Sequence, residues 1–456
     1  MPRDGGDNST ELPVRARLPT EPVGVLGSFA RMQENLLSII PQAATEQKIL
    51  SGRTGTRWHM VMHPPALREI LLERVADYPK SVVTRNLLRP AVGDSLFVAE
   101  GAHWRWQRRA AAPAFSHRNI ASLGPVMTGA ATRSADRIAS QKHRAVNLLD
   151  EMTTATFDVI SEVTFSTDGS FERASVHRAI EAYTEKAGRV SLLDVLGAPD
   201  WVPRPGRVAA TRSMQKMKAD ADAAIEARLR RGPSATPDLL DLMREAEDPR
   251  TGRRMSTSEL RDNLLTFIVA GHETTALTLA WALYLCTFDQ NVQDAARHEI
   301  HSVVGQRAAE AGDLENLGLV RRIIEETLRL YPPAGIVSRT AQKQDTLAGA
   351  PVEPGDTVMI PIYALGRHRT LWQDPDSFRP QRFADRQSID RYAWLPFGDG
   401  PRICIGASFA LQEAMIILAT LLGRFRFTRV PGRDPAPVMI LTLRPDGGVW
   451  LTAEPV

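Results

Sequence analysis

One long helical pattern, from Ser256 to Phe288, constrains the fold more than any other feature. Ser256 can cap its start, and Glu259 stands three residues on, in the spacing of a reciprocal capping box. At 1.5 Å per residue the pattern spans roughly 45–50 Å, enough to cross a whole domain. From Leu264 onward it is apolar except around His272, Glu273, Thr274 and Thr275. An ionisable group at its centre would be expensive in lipid, and about 18 uninterrupted apolar residues are lacking. A buried core helix is therefore expected, not a membrane span.

Other segments are expected to pack around this rod. Ala66–Ala76, Glu100–Ala112, Ala114–Ala139, Val146–Phe165, Val176–Val190, Arg207–Arg231 and Leu319–Leu330 read as helices. Ala407–Leu422 is apolar almost all round, as a buried helix would be. Trp58–Met62 reads as a strand, Arg339–Pro361 carries strand and turn signals, and the tail from Arg424 alternates as strands do. Leu192–Gly206 reads as loop and Tyr363–Gly400 as mostly irregular. The expected class is mainly α with small β-sheets. No repeat or flexible linker marks a boundary, so residues 41–456 are expected to form one domain behind an N-terminal extension, residues 1–40.

Charge narrows the partners. The chain has 56 basic and 53 acidic side chains, a net charge of +3. That balance argues against nucleic-acid binding. The two cysteines, Cys286 and Cys404, offer no disulfide framework, which favours a reducing compartment. Met1–Val23 is polar and Pro-rich, with no apolar secretory segment. A cytoplasmic monomer is expected.

Chemistry concentrates at Phe397-Gly398-Asp399-Gly400-Pro401-Arg402-Ile403-Cys404-Ile405-Gly406. Glycines let a backbone approach another group closely, and successive N–H groups in such a turn can hold an anion. The helix that follows would favour a thiolate further. For a cysteine taken alone, a buried structural role in a Gly-rich turn would be the favoured reading. Zinc is poorly supported, because no second cysteine or paired histidine lies nearby. A lone thiolate suits haem, whose porphyrin supplies the other four donors.

Phe397, Gly400, Arg402, Cys404 and Gly406 fill every defined position of the cytochrome P-450 haem-loop pattern FxxGxRxCxG, which the chain closely resembles. The resemblance implies haem b with Cys404 as proximal iron ligand, Arg402 on a propionate and Phe397 beside the sulfur. Ala270-Gly271-His272-Glu273-Thr274-Thr275 resembles the family's oxygen-activation motif. By that likeness Glu273 and Thr274 relay protons, Ala270 and Gly271 leave room for dioxygen, and His272 faces away. A threonine bonded back to its own helix is the plainer reading of the same residues. Glu326 and Arg329 resemble the family's ExxR pair and Arg382 its partner arginine, with a structural role. Gln381 replaces the usual glutamate there. Trp104, Arg108 and Arg339 resemble further propionate contacts.

The same resemblance implies a haem-thiolate monooxygenase that uses dioxygen to oxidise a hydrophobic small molecule. Pocket walls are expected near Val82–Leu96, Tyr183–Trp201, Leu264–Ala270, Ala334–Ser338 and Pro437–Leu443, with Phe267, Ile268, Ala270, Ile336 and Val337 as lining. The chain after Cys404 is too short for a reductase domain, so a separate ferredoxin or flavodoxin with its reductase is expected. It would dock on basic residues near Arg105, Arg108, Arg109 and Arg402. The alternatives are a haem-thiolate isomerase, dehydratase or peroxygenase, and, in another class, a non-catalytic haem sensor.

Overall fold

The computed structural model describes residues 12–21, 25–141, 144–165, 205–234 and 237–456. The helix expected at Val176–Val190 and the pocket wall at Tyr183–Trp201 lie outside the described residues. So does the loop expected at Leu192–Gly206, apart from Pro205 and Gly206, which open a helix.

The longer helices are α1 (Val25–Glu34), α2 (Val82–Val92), α3 (Gly101–Ala111), α4 (Gly124–Ser140), α5 (Leu148–Phe165) and α6 (Pro205–Arg231). They continue with α7 (Leu239–Glu245), α8 (Thr257–Cys286), α9 (Gln290–Val303), α10 (Gly318–Leu330) and α11 (Ala407–Arg424). The strands are β1 (Ile49–Thr54), β2 (Thr56–Val61), β3 (Ala145–Asn147), β4 (Val337–Thr340), β5 (Asp345–Leu347) and β6 (Ala350–Val352). Next come β7 (Thr357–Ile360), β8 (Phe425–Arg429), β9 (Ala436–Met439), β10 (Leu443–Asp446) and β11 (Trp450–Pro455). The class is the expected one.

The rod is α8, and both halves of its capping box are present: the Ser256 hydroxyl accepts from the Glu259 N–H while the Glu259 carboxylate accepts from the Ser256 N–H. Its surface is buried for most of its length because helices cover it on several sides. The most extensive contact is with α5, and α6, α10 and α11 also pack on it. Helix α11 is long and apolar enough to cross a membrane, but most of it is buried in this core. One sheet has the order β1-β2-β7-β4, with β2 and β7 parallel and the other pairs antiparallel. A second has the antiparallel order β3-β11-β8. Strands β9 and β10 form a hairpin, as do β5 and β6.

Two differences from expectation have physical causes. The helix expected over Ala66–Ala76 stops at Arg68 and passes into a π-helical turn, Glu69–Glu73. That wider turn lies against the cysteine loop, where a Cβ on Gly400 would stand 2.0 Å from the Leu71 carbonyl oxygen. Helices α1, α2, α7 and α9 escaped the periodicity reading; α2 carries Pro90 inside it. The segment ahead of residue 41 packs on the core. Leu37 and Ile40 are fully buried, and Val14, Ala16 and Leu18 pack on the core. The buried Tyr331 hydroxyl needs an acceptor and finds the Val14 carbonyl at 2.5 Å, while the Ala16 N–H donates to the Tyr363 hydroxyl at 2.9 Å.

Candidate functional site

The cysteine loop is a closed turn. The Cys404 N–H donates to the Phe397 carbonyl at 2.9 Å. The Asp399 carboxylate accepts from the Gly400 N–H and from Arg391, each at 2.6 Å. Gly398 and Gly400 adopt φ of +69° and +66°, a region that side-chain-bearing residues rarely enter. Gly406, immediately before α11, has an ordinary φ, and apart from its own chain neighbours no described atom lies within 4 Å of where its Cβ would stand. Room for another group, not backbone strain, is what glycine provides there. Burial pushes the Cys404 thiol up, while the Gly406 N–H, Arg108 and Lys80 pull it down.

Cys404 nevertheless presents accessible surface. Ala270 does the same in the middle of the otherwise buried α8. Both are small or lone side chains left accessible beside well-buried neighbours, Ala270 on α8 and Cys404 just before α11.

Four cations are linked to the cysteine loop: Lys80 and Arg108 act on Cys404 itself, and Arg339 and Arg402 act on Lys80. Arg402 donates to the Ala99 carbonyl at 3.0 Å and to Glu100, and its guanidinium lies 4.1 Å over the Trp104 ring. Arg339 is 7% exposed and donates to the Ser338 carbonyl. Lys80 donates its backbone N–H to Glu100 at 3.0 Å and its ammonium to the Phe97 carbonyl. Burial, then Arg339 and Arg402, push the Lys80 ammonium down to about 7. Burial, then Arg402, push Arg339 down to about 10. Burial likewise lowers Arg108 and Arg402. Glu100 is the carboxylate among them. Desolvated cations that disfavour one another's charge fit a ligand that brings anions. Haem brings two propionates, so the donor set fits it. The sequence reading missed Lys80 and Glu100, which no motif connects to the loop.

On α8 the acid and the alcohol face different partners. The Glu273 carboxylate accepts from the Thr442 hydroxyl at 2.9 Å and pairs with Arg444 at 3.3 Å. The Thr274 hydroxyl donates to the Ala270 carbonyl at 2.8 Å, the back-bond that the plainer reading anticipates. His272 is buried against Phe157 of α5, with ring centroids 5.6 Å apart. Gly271 differs from its expected role. A Cβ there would meet Ile160 of α5 at 3.3 Å, so this glycine makes room for a neighbouring helix. Ile268 also differs. It is fully buried and has no surface to offer a pocket. Phe267 is 8% exposed and packs edge-on against Phe115 at 4.9 Å, and Ile336 and Val337 are partly buried.

Glu326, Arg329 and Arg382 meet as expected. Glu326 accepts from Arg329 at 2.7 and 2.8 Å and from Arg382 at 3.0 Å. Arg329 also reaches the carbonyls of Gly366, Pro375 and Ser377. A Cβ on Gly366 would stand 2.3 Å from the Arg329 carbonyl oxygen, which excludes any larger residue. The expected basic docking patch is smaller than the sequence suggests. Arg109 forms a bidentate pair with the fully buried Asp248, both bonds 2.7 Å, and the Arg402 side chain is 9% exposed and paired with Glu100. Arg105 remains exposed.

Comparison with known proteins agrees with this geometry. The family model "Cytochrome P450" matches residues 18–452. The chain is similar to cyclooctatin synthase of Streptomyces melanosporofaciens, 31% identical, with 92% of each chain covered. It is similar to cyclooctat-9-en-7-ol 5-monooxygenase of the same organism, 32% identical, covering 90% of this chain and 89% of the relative. A cytokinin hydroxylase of Arabidopsis thaliana is 30% identical over 86% of this chain and 77% of its own length. The cysteine loop, the cation set and these matches lead to one assignment: the chain belongs to the cytochrome P450 family, the haem b monooxygenases that use dioxygen.

Proposed function

We propose that Cys404 ligates the haem iron and that the chain oxidises a hydrophobic small molecule with electrons from a separate protein partner. The observation that carries this reading is the lone Cys404 in its closed glycine turn, with Lys80 and Arg108 acting on it and the buried Arg339 and Arg402 acting in turn on Lys80. In this reading Arg402, Arg339, Arg108 and Lys80 hold the propionates, with Trp104 stacked under Arg402. Bound haem supplies the activation of dioxygen and the insertion of one oxygen atom into substrate. Phe397 packs beside the sulfur and Gly406 keeps the approach to the ring open.

The remaining steps belong to the protein. Ala270, Phe267, Ile336 and Val337 exclude water and orient an apolar molecule such as a terpenoid, fatty acid or steroid-like compound. Glu273 carries a proton to the Thr274 hydroxyl, which passes it towards the substrate site. Glu326, Arg329 and Arg382 brace the backbone behind the cysteine loop. A ferredoxin or flavodoxin with its reductase would dock near Arg105 in the cytoplasm. The acid–alcohol pair favours oxygen activation over isomerase, dehydratase or peroxygenase chemistry, which need no such relay, and over a haem sensor.

The test is Cys404→Ser in haem-loaded protein. The parent should give the red-shifted thiolate-type absorption when reduced and exposed to carbon monoxide, and the variant should lose it. Retention of that absorption by the variant would refute the ligand assignment. Arg402→Met should weaken haem retention while leaving the thiolate spectrum of the bound fraction intact.

A further inference from the structure

Three side chains on the β1-β2-β7-β4 sheet form a hydrogen-bonded line that none of the chemistry above uses. The Ser51 hydroxyl lies 2.8 Å from His59 Nδ1, and His59 Nε2 lies 3.1 Å from the Asp356 carboxylate. Ser51 is exposed, whereas His59 is 1% and Asp356 6% exposed. Ser51 is on β1, His59 faces it from β2, and Asp356 immediately precedes β7.

The far end of the line decides where each hydrogen sits. Burial pushes the Asp356 carboxyl up, but the Glu353 N–H, His59 and Arg57 outweigh it and hold it below the usual carboxylate range. An ionised carboxylate only accepts hydrogen bonds. His59 Nε2 must therefore carry the hydrogen that points at Asp356, which leaves Nδ1 as an acceptor. The Ser51 hydroxyl then donates to Nδ1. A reachable hydroxyl aimed at a base, with the base oriented by a third group, is the arrangement of an activated nucleophile.

Strand pairing adds a donor for the other side of the reaction. The Met62 N–H donates to the Lys48 carbonyl at 2.9 Å, which opens the β1–β2 ladder. Ladder bonds then fall on every second pair, so Ser51 and His59 form a pair of the non-hydrogen-bonded kind, whose side chains approach most closely. The Ser51 N–H thus points away from β2. Strand β1 is the edge of its sheet, and no strand of the sheet lies beyond it. A nucleophilic serine's own N–H is a donor well placed to hold the developing oxyanion.

We propose that Ser51, His59 and Asp356 form a second catalytic site, sharing no residue with the cysteine loop, that cleaves small carboxylic esters. Ser51 Oγ bonds to the ester carbonyl carbon as its proton passes to His59 Nδ1. The carbonyl oxygen takes the negative charge and faces the Ser51 N–H. The bond to the alcohol oxygen then breaks, and the alcohol leaves with the proton from His59. Water, giving a proton to His59, attacks the acyl group and releases the acid, and that proton returns to Ser51. Arg57 also donates to Asp356, at 2.8 Å, and shares its charge, so the imidazolium is less stabilised than beside a lone carboxylate. The site therefore suits esters with good leaving groups and not amides.

The test uses haem-loaded protein, with p-nitrophenyl acetate as substrate and diisopropyl fluorophosphate as a serine label. Ser51 Oγ should displace fluoride from the label, and mass spectrometry should find the adduct on the peptide carrying Ser51. Ser51→Ala changes one exposed side chain, and it should lose both the adduct and the release of nitrophenolate above the uncatalysed rate. Asp356→Asn should slow labelling about a hundredfold, because its N–H₂ can donate to Nε2 and leave the hydrogen on Nδ1. An unlabelled Ser51, a Ser51→Ala variant that releases nitrophenolate at the parental rate, or an Asp356→Asn variant labelled at the parental rate overturns the proposal.

Discussion

Glu326→Gln is the most informative single substitution for stability. The carboxylate takes four hydrogen bonds: Arg329 Nε at 2.7 Å, Arg329 Nη2 at 2.8 Å, the Arg379 N–H at 2.8 Å and Arg382 Nε at 3.0 Å. Both side chains of the Glu326–Arg329 pair are 0% exposed. Glutamine keeps the shape but removes the charge and points an N–H₂ at guanidinium donors. The three carbonyls on Arg329 still accept hydrogen bonds but do not neutralise it. Breaking such a pair from one side costs about 3–5 kcal/mol. Typical whole-protein stability is only about 5–15 kcal/mol. The control is Asp136→Asn, which breaks an exposed pair with Arg424 whose side chains are 63% and 40% exposed. That change should cost under about 1 kcal/mol. Urea unfolding followed by tryptophan fluorescence measures both, with Trp372 near Arg329 as a local reporter. If Glu326→Gln costs no more than Asp136→Asn, the argument from desolvated charge is wrong.

Two further outcomes are expected. Thr274→Ala should divert electrons from product into hydrogen peroxide, measured as the ratio of peroxide to reduced nicotinamide consumed; unchanged coupling would remove Thr274 from the relay. Glu413 on α11 is buried, and burial pushes its carboxyl up from 4.5 to about 8, with Thr275 pulling the other way. The native state then keeps a proton that the unfolded chain has lost. Its stabilising contribution is full below about pH 4.5 and is lost as pH rises towards about 8. Glu413→Gln should flatten the decline of the unfolding free energy across that window, and an unaltered slope would show that the acid is ionised in the folded protein.

The cysteine loop, the rod and the Glu326–Arg329 pair were legible because each is carried by residues close in sequence. A ten-residue run holds Phe397 through Gly406, and an i, i+3 spacing holds the ion pair. Lys80, Glu100 and Arg402 were not legible as one cluster, because Arg402 and Glu100 stand 302 positions apart. The same holds for Thr442 and Glu273, 169 apart. Gly271 and Ile268 were misread for a related reason. Helical periodicity says which residues share a face, but not that α5 covers the face carrying Ile268, Gly271 and His272. Helix α9 is amphipathic and capped by Asp289, yet it bears no motif, and attention to chemistry passed over it. The wider π-turn at Glu69–Glu73 depends on the backbone of a loop more than 300 positions away, which no local pattern records.

The strap from Val14 to Ala16 has a consequence for how the molecule is made. Val14 bonds Tyr331, 317 positions later, and Ala16 bonds Tyr363, 347 positions later. Arg15 between them pairs with Asp376, 361 positions on. A ribosome adds about 5–20 residues per second, so Val14 leaves it roughly 15–60 s before its partner exists. A segment made early is thus among the last to be fixed. Until Tyr331 and Tyr363 arrive, Leu37 and Ile40 have no finished core to enter and remain open to chaperones. Closing the strap then ties an earlier-made part of the chain to one made more than 300 residues later.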